Sequence, residues 1–244
     1  MILDDWFAHW FDTPYYHLLY KHRDDTDAHF FIDNLLAALQ PAKTDEILDL
    51  ACGRGRHAKY LNKKGYRVTG YDLSAENITF ARKKKIANLH FEVRDMRSDM
   101  GTSRFDWVFN LFTSFGYFDD NADNQLAMNC IAQCLKPGGK LVMDFMNVHK
   151  VERRLVPEEV IDTSGIEFHI KRYTDDLNII KEITFFADNR QWQFFEKVKK
   201  LSATDFEQLF AAAKLQPLAY FGGFDLQPFH AANSDRLIMI AQKL

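Results

Sequence analysis

Apolar and polar positions follow two different rhythms along the chain. After Pro14 the apolar residues fall at helical spacing, Tyr16, Leu19 and Tyr20, then Phe30, Phe31, Leu35, Leu36 and Leu39, which predicts two helices broken near 24–27. From residue 46 short apolar runs alternate with amphipathic stretches: strand 46–51, a helix to about Lys64 stopped by Gly65, strand 66–72, and a helix capped by Ser74 with Asn77 three residues on. Strands 89–94 and 105–111, a helix from about Asp123 to Leu135 and strand 140–146 continue the alternation. With a helix capped by Thr204 and running to about Lys214, and strands 218–221 and 236–241, this predicts an α/β fold. Its core is a doubly wound, mostly parallel seven-stranded sheet of Rossmann-like type.

Between about Arg153 and Lys200 the period becomes two, as in Phe168, Ile170, Arg172 and in Ile183, Phe185, Ala187. The pairs Ser164-Gly165, Asp175-Asp176 and Asp188-Asn189 read as hairpin turns, so this stretch is expected to be an inserted small antiparallel β-sheet. Three units follow: a helical cap at 1–40, a cofactor-binding domain at 41–150 and 201–244, and the insert at 151–200. The insert is rich in aromatics (Phe168, Phe185, Phe186, Trp192, Phe194, Phe195), which must cover something, either as a lid or as the face of a homodimer.

Composition narrows the classes. A chain of 244 residues, 47% hydrophobic and 27% charged, has room for one main domain and is neither disordered nor built to span a membrane. The net charge of −3 gives no electrostatic case for nucleic acid, and Lys83 to Lys85 read as a solvated helix face. The N-terminal segment is acidic and aromatic, without the parts of a secretory signal, and three cysteines do not make a disulfide framework; both point to the cytoplasm. Cys130 and Cys134 lie one helical turn apart with no second ligand pair nearby, so helix packing rather than a metal site is expected.

The chemistry begins at ILDLACGRGRHA, residues 47–58. Ile47, Leu48 and Leu50 suit a buried strand, Gly53 and Gly55 a tight turn open to a ligand, and Arg56 onward a helix whose first N–H groups face whatever binds. Gly53, Gly55 and Ala58 also satisfy a dinucleotide fingerprint, with Asp72 placed to hold a ribose. Three further features bear on that reading. Asp49 puts a carboxylate in the strand, where it suits a cationic ligand; Arg94-Asp95-Met96 ends the third strand with another acid; and LKPGGKLVMDF joins helix, Pro-Gly-Gly turn and strand without a spacer.

Taken together these segments resemble the class I S-adenosylmethionine-dependent methyltransferases, over roughly residues 46–146 and the final strand pair. The resemblance implies that Asp49, Ala51, Gly53 and Gly55, with Cys52 in the same turn, line the methionine and ribose region of S-adenosylmethionine. It places Asp72 on the ribose hydroxyls, Leu73 against the adenine, and Asp95 with Met96 at the adenine edge. Ala51 stands where many members have Gly. Arg56 and His57 fall at the helix start, with solvent and ligand both open to them.

On the methyl-transfer side the sequence offers Leu111, Phe112, Phe115 and Tyr117, since aromatic faces can hold a sulfonium and exclude water. Tyr15, Tyr16, Tyr20 and Arg23 belong to the segment that small-molecule members fold over the cofactor, with Arg23 a partner for its carboxylate. His149 is positioned as a general base for an oxygen nucleophile, so Tyr16, Tyr117 and His149 are the catalytic candidates. Phe221, Phe224, Phe229 and His230 are further candidates for the acceptor border. The expected activity is methyl transfer to a small-molecule acceptor by in-line displacement, without a metal. The alternatives are an NAD-dependent oxidoreductase and a non-catalytic protein that binds S-adenosylmethionine and docks a partner. A base-amino nucleic-acid methyltransferase is disfavoured, because Asn110-Leu111-Phe112-Thr113 lacks the Asn/Asp-Pro-Pro-aromatic motif.

Overall fold

The computed structural model describes residues 6–21 and 25–244. The N-terminal segment forms α1 (Trp6–Trp10), α2 (Pro14–Leu19) and α3 (Asp25–Leu39), three helices where periodicity predicts two. The extra break has a local cause: the Thr13 hydroxyl accepts from Tyr16 N at 3.1 Å, and Pro14, which has no N–H to lose, opens the next helix.

The alternating region then gives β1 (Glu46–Leu50), α4 (Arg56–Lys63), β2 (Arg67–Asp72), α5 (Ala75–Ala81), β3 (Leu89–Val93), β4 (Phe105–Asn110), α6 (Asn121–Cys134) and β5 (Leu135–Met146). After α7 (Val148–Arg153) come β6 (Glu158–Thr163), β7 (Ile166–Thr174), β8 (Asn178–Ala187) and β9 (Arg190–Lys199). The chain closes with α8 (Ala203–Ala212), β10 (Leu215–Phe221) and β11 (Arg236–Lys243).

The large sheet has the order β10-β11-β5-β4-β1-β2-β3. Strands β1 to β5 pair in parallel, whereas β11 lies antiparallel between β5 and β10. Helices cover both faces of its centre, so β1, β4 and β5 read as near-continuous apolar runs; Ile47, Leu48, Val108, Val142 and Met143 are fully buried. The parallel order reverses between β1 and β4, and ligand crevices open outside the C-terminal strand ends at such a switch point.

The insert is a separate antiparallel sheet, β6-β7-β8-β9. Two of its turns are two-residue loops with both residues at positive φ, Ser164-Gly165 and Asp188-Asn189. That geometry matches the twist of paired strands and suits Gly and Asn. The third turn spans residues 175–177, with Asp175 Oδ1 accepting from Leu177 N at 2.8 Å.

Boundaries differ from expectation where a cap or a bulge decides them. Asp120 caps α6 through Ala122 N at 2.8 Å, so that helix starts before Asp123. Ser202, not Thr204, caps α8, in a reciprocal capping box with Asp205. Strand β5 starts at Leu135 and carries Pro137-Gly138-Gly139 inside it as an irregularity, because its pairing with β4 shifts between Phe105 and Trp107. A Cβ on Gly139 would lie 2.9 Å from the Lys136 carbonyl oxygen, too close for any other residue.

Candidate functional site

A cleft of about 1080 Å³ runs along the C-terminal ends of the parallel strands. Turns of the large sheet form one wall; α1, α2 and the inward face of the small sheet form the other.

The first wall starts at the turn after β1. Ala51 and Gly53 both take left-handed backbone, φ 59° and 55°, and a Cβ on Gly53 would meet no protein atom within 4 Å. Gly53 lines the cleft, so its bare Cα leaves room for a ligand against the backbone. Gly55 has a different role. Its Cβ position would sit 2.5 Å from the Phe91 ring, and its φ of 78° starts α4, so glycine is required there for packing and turn geometry. Gly55 is not on the cleft wall.

Asp49 also stands behind the wall. It is 1% exposed and accepts from Ala58 N at 2.9 Å, closing one open N–H of α4. Burial, reinforced by the charge of Asp72, pushes its carboxyl up to about 7. The expected position of Asp49 in the ligand lining is therefore corrected: it shapes the turn from beneath.

Asp72, at the end of β2, faces the cleft and organises two segments. One carboxylate oxygen accepts from Gly53 N at 2.7 Å and the other from Ser74 N at 2.9 Å. Burial raises its carboxyl above the usual range. Since a carboxylate offers about four lone-pair positions, acceptor capacity is left for a ligand hydroxyl. Leu73 is half-open on the same wall, and Asn77 receives His17 Nε2 at 3.0 Å from α2 across the cleft. Burial and the charge of Arg54 push His17 down to about 4. At β3, Asp95 and Met96 both line the cleft, but Asp95 is already held by Arg97, through its backbone N at 2.8 Å and its guanidinium at 2.7 Å. This pair lowers the Asp95 carboxyl despite partial burial.

The loop after β4 supplies Leu111, Phe112 and Tyr117 to the wall. Phe112 and Thr113 are consecutive non-glycine residues at φ 58° and 60°, a conformation that persists only when its surroundings fix it. Asp144, fully buried at the end of β5, does the fixing: it accepts from Phe112 N at 2.6 Å and from Arg236 Nε at 2.8 Å. Arg236 Nη2 then donates to Thr113 Oγ1 at 2.8 Å. Phe115 is buried behind the loop against Phe206, outside the cleft.

On the opposite wall the inward positions of β8 and β9 place Ile179, Lys181, Glu196 and Val198 in the cleft. Glu196 accepts from Trp10 Nε1 at 2.8 Å and from the Tyr20 hydroxyl at 2.7 Å, while Lys181 donates to that hydroxyl and lies 3.8 Å from Glu196. This cluster ties α1 and α2 to the insert. Tyr15 packs instead on Phe185 and Trp192, away from the cleft, and covers the aromatic face of the small sheet.

Of the predicted site residues, Tyr16, Tyr20, Ala51, Cys52, Gly53, Asp72, Leu73, Asp95, Met96, Leu111, Phe112 and Tyr117 meet on this cleft. His149 does not; it is exposed on α7 and off the wall, which removes the geometric basis for a general base there. Arg23 lies outside the described residues. Phe224 packs on Phe112 at 5.0 Å, behind the wall. Sequence reasoning missed Trp6, Phe7, Lys181, Glu196 and Arg236. For Lys181 and Glu196 a signal exists: each is a charged residue in phase with an inward apolar stripe, Ile179 to Phe185 and Phe194 to Val198.

Residues 47–139 match the family model for a methyltransferase domain. The Bacillus subtilis (strain 168) protein YqeM is 29% identical over 211 residues, 81% of this chain and 83% of its own length. The Streptomyces venezuelae dTDP-3-amino-3,4,6-trideoxy-alpha-D-glucopyranose N,N-dimethyltransferase is 34% identical over 112 residues, 45% of this chain and 47% of that protein. In fold, an S-adenosylmethionine-dependent methyltransferase from Clostridium acetobutylicum ATCC 824 superposes with a TM-score of 0.78 at 20% identity, covering 98% of each chain. CalS10, an amino pentose methyltransferase from Micromonospora echinaspora solved with S-adenosylmethionine bound, superposes with a TM-score of 0.72 at 21% identity, covering 95% of this chain and 98% of its own.

Proposed function

We propose that this chain is a class I S-adenosylmethionine-dependent methyltransferase and that it methylates a small-molecule acceptor in the cleft between the two sheets. The observation that carries the reading is the cleft's composition: a glycine turn, a ribose-type acid and the Asp95-Met96 pair after β3 on one wall, aromatic and charged side chains on the other. Small-molecule sites commonly occupy about 300–1,000 Å³, so 1080 Å³ has room for a methyl donor and a second small molecule.

The residues fit the donor. The open backbone at Gly53 takes its ribose and methionine portion, the spare lone pairs of Asp72 its hydroxyls, and Leu73 with Met96 its adenine faces. Asp95 meets the adenine edge with the acceptor capacity that Arg97 leaves. Bound there, S-adenosylmethionine supplies a methyl carbon activated by a positively charged sulfur. The chain's part is positioning and exclusion of water. Trp6, Phe7 and Tyr117, packed edge-to-face and stacked at 5.2 to 6.1 Å, close the cleft from above and offer π faces to a cation. Glu196, held by Trp10 and Tyr20, accepts the proton that the acceptor sheds. Tyr16 and Tyr117 orient the acceptor from the same walls.

The units read from sequence enter the proposal in adjusted form: α1, α2 and the small sheet act together as the acceptor lid. Among the described residues no helix is long and apolar enough to cross a membrane. A cytoplasmic setting is part of the proposal, supported by the unpaired, buried thiols of Cys52, Cys130 and Cys134. The test is incubation of the purified protein with methyl-labelled donor and the low-mass fraction of a cell extract. Label should appear in a low-mass product; label found only in macromolecules, or none transferred, refutes the reading.

A further inference from the structure

One charged row interrupts the apolar inward face of the small sheet. Ile179 pairs with Val198 on one side of it, and Ile170, Ile183 and Phe194 pair on the other. Between them Arg172 on β7 lies directly opposite Lys181 on β8, which lies opposite Glu196 on β9. Like charges directly opposite each other on one face of a sheet are destabilising. Each cation is tied on the side away from the other: Arg172 to Glu159 on β6 and to the Val156 carbonyl oxygen at 3.4 Å, Lys181 to the Tyr20 hydroxyl, with Glu196 3.8 Å away. These partners offset the charge and leave the two cations neighbours. Both keep accessible surface, 22% and 14% of their side chains, and both line the cleft.

An anion seated over both cations removes their repulsion and gains charge-assisted hydrogen bonds. Charge balance selects its kind, because Glu159 and Glu196 already match the two cations and a single negative charge is easier to accommodate than two. Beside the row, Met146, Val151, Leu155, Ile179 and Val198 form an apolar recess in the same cleft. Lys199 N donates to the Gly116 carbonyl oxygen at 2.8 Å, which sets this end of β9 against the loop after β4, the methyl-transfer side of the cleft. We infer that the acceptor is a small carboxylic acid with an apolar body, its carboxylate held by Arg172 and Lys181 and its body in the recess. The carboxylate is the handle and another atom of the acceptor is the nucleophile. That atom bonds to the methyl carbon, the sulfur keeps the electron pair of the broken bond, and the released proton goes to Glu196 as above. The product therefore keeps its negative charge.

This inference rests on the methyl-donor reading above, and its test separates the two. The labelled product of the low-mass extract assay is passed over an anion exchanger. It should be retained at pH 7 and released at pH 2, where a carboxylate is protonated; a product that passes through at pH 7, or stays bound at pH 2 as a phosphate ester does, overturns the inference. Arg172→Gln should raise the extract concentration needed for half-maximal labelling about tenfold or more, the usual size for a hydrogen bond to a charged group. Arg172→Lys should recover part of that loss, and both variants should keep the wild-type affinity for S-adenosylhomocysteine; an unchanged half-maximal concentration in Arg172→Gln overturns the inference. A second measurement needs neither turnover nor a variant. Titrated into the wild type and followed by amide resonances, sodium hexanoate should shift residues 170–183 saturably and hexanamide should bind at least tenfold more weakly; equal binding, or no binding of hexanoate, overturns the inference. If S-adenosylhomocysteine does not bind the wild type, the methyl-donor reading fails whatever hexanoate does, and if it binds while hexanoate does not, the inference alone fails.

Discussion

Replacing Asp49 by Asn should change the pH dependence of folding stability in a defined direction. The Asp49 carboxyl is buried beneath the β1 turn, and its folded-state pKa is raised to about 7 from 3.8. Between those values the folded chain holds a proton that the unfolded chain has released, so the wild type loses stability as pH rises through this window. At about 1.36 kcal/mol per pKa unit the difference amounts to about 4 kcal/mol, fully present above pH 7 and absent below about pH 4. Asparagine keeps an oxygen for Ala58 N and does not titrate, so the variant escapes the penalty. Urea denaturation of both proteins at intervals from pH 4 to pH 8 measures the effect. The stability of Asp49→Asn relative to wild type should rise by several kcal/mol across that range. A difference that is flat with pH, or that moves in favour of the wild type, refutes the burial argument.

Other predictions use the same contacts. Gly55→Ala meets a left-handed backbone and the Phe91 ring, and should cost at least the roughly 1–2 kcal/mol of the backbone alone, read as a lower urea midpoint. Arg236→Leu strands the fully buried Asp144 carboxylate and should destabilise by about 3–5 kcal/mol in the same assay; a loss under 1 kcal/mol would mean that the pair does not hold the loop after β4. Ser202→Ala removes half of a capping box and should cost about 1 kcal/mol. Once an acceptor is in hand, Glu196→Gln should lower kcat about 100-fold or more while leaving S-adenosylhomocysteine affinity unchanged; an unaltered kcat removes Glu196 from the chemistry.

The large sheet was legible because its central strands are covered on both faces, which leaves uninterrupted apolar runs such as Ile47 and Leu48 between glycine and acid punctuation. The hairpins of the insert were legible for a related reason, since Ser164-Gly165 and Asp188-Asn189 suit only a few backbone shapes. Other boundaries depended on choices among equivalent signals. Ser202 and Thr204 are both competent caps, and only the return bond from Asp205 distinguishes them. Leu135 reads as the end of a helix before the Pro137-Gly138-Gly139 turn, although pairing with Phe105 draws it into the strand.

At the site, local motif residues such as Gly53 and Asp72 were visible because the chemistry and the chain order coincide. Asp49 carried the right residue type, but sequence cannot tell a carboxylate that faces a ligand from one that caps the helix behind it. His57 was ambiguous for the same reason. Its ring stacks on Phe112, 55 residues away, a contact that only the assembled fold makes. The Tyr20–Glu196 contact, with a sequence separation of 176, is assembled only when the small sheet meets α2.

The central claim is that the cleft binds a sulfonium methyl donor. Isothermal titration of the wild-type protein with S-adenosylmethionine, and separately with S-adenosylhomocysteine, tests it most directly. The account predicts saturable heat from both, at one ligand per chain; no heat from either at millimolar concentration would contradict it.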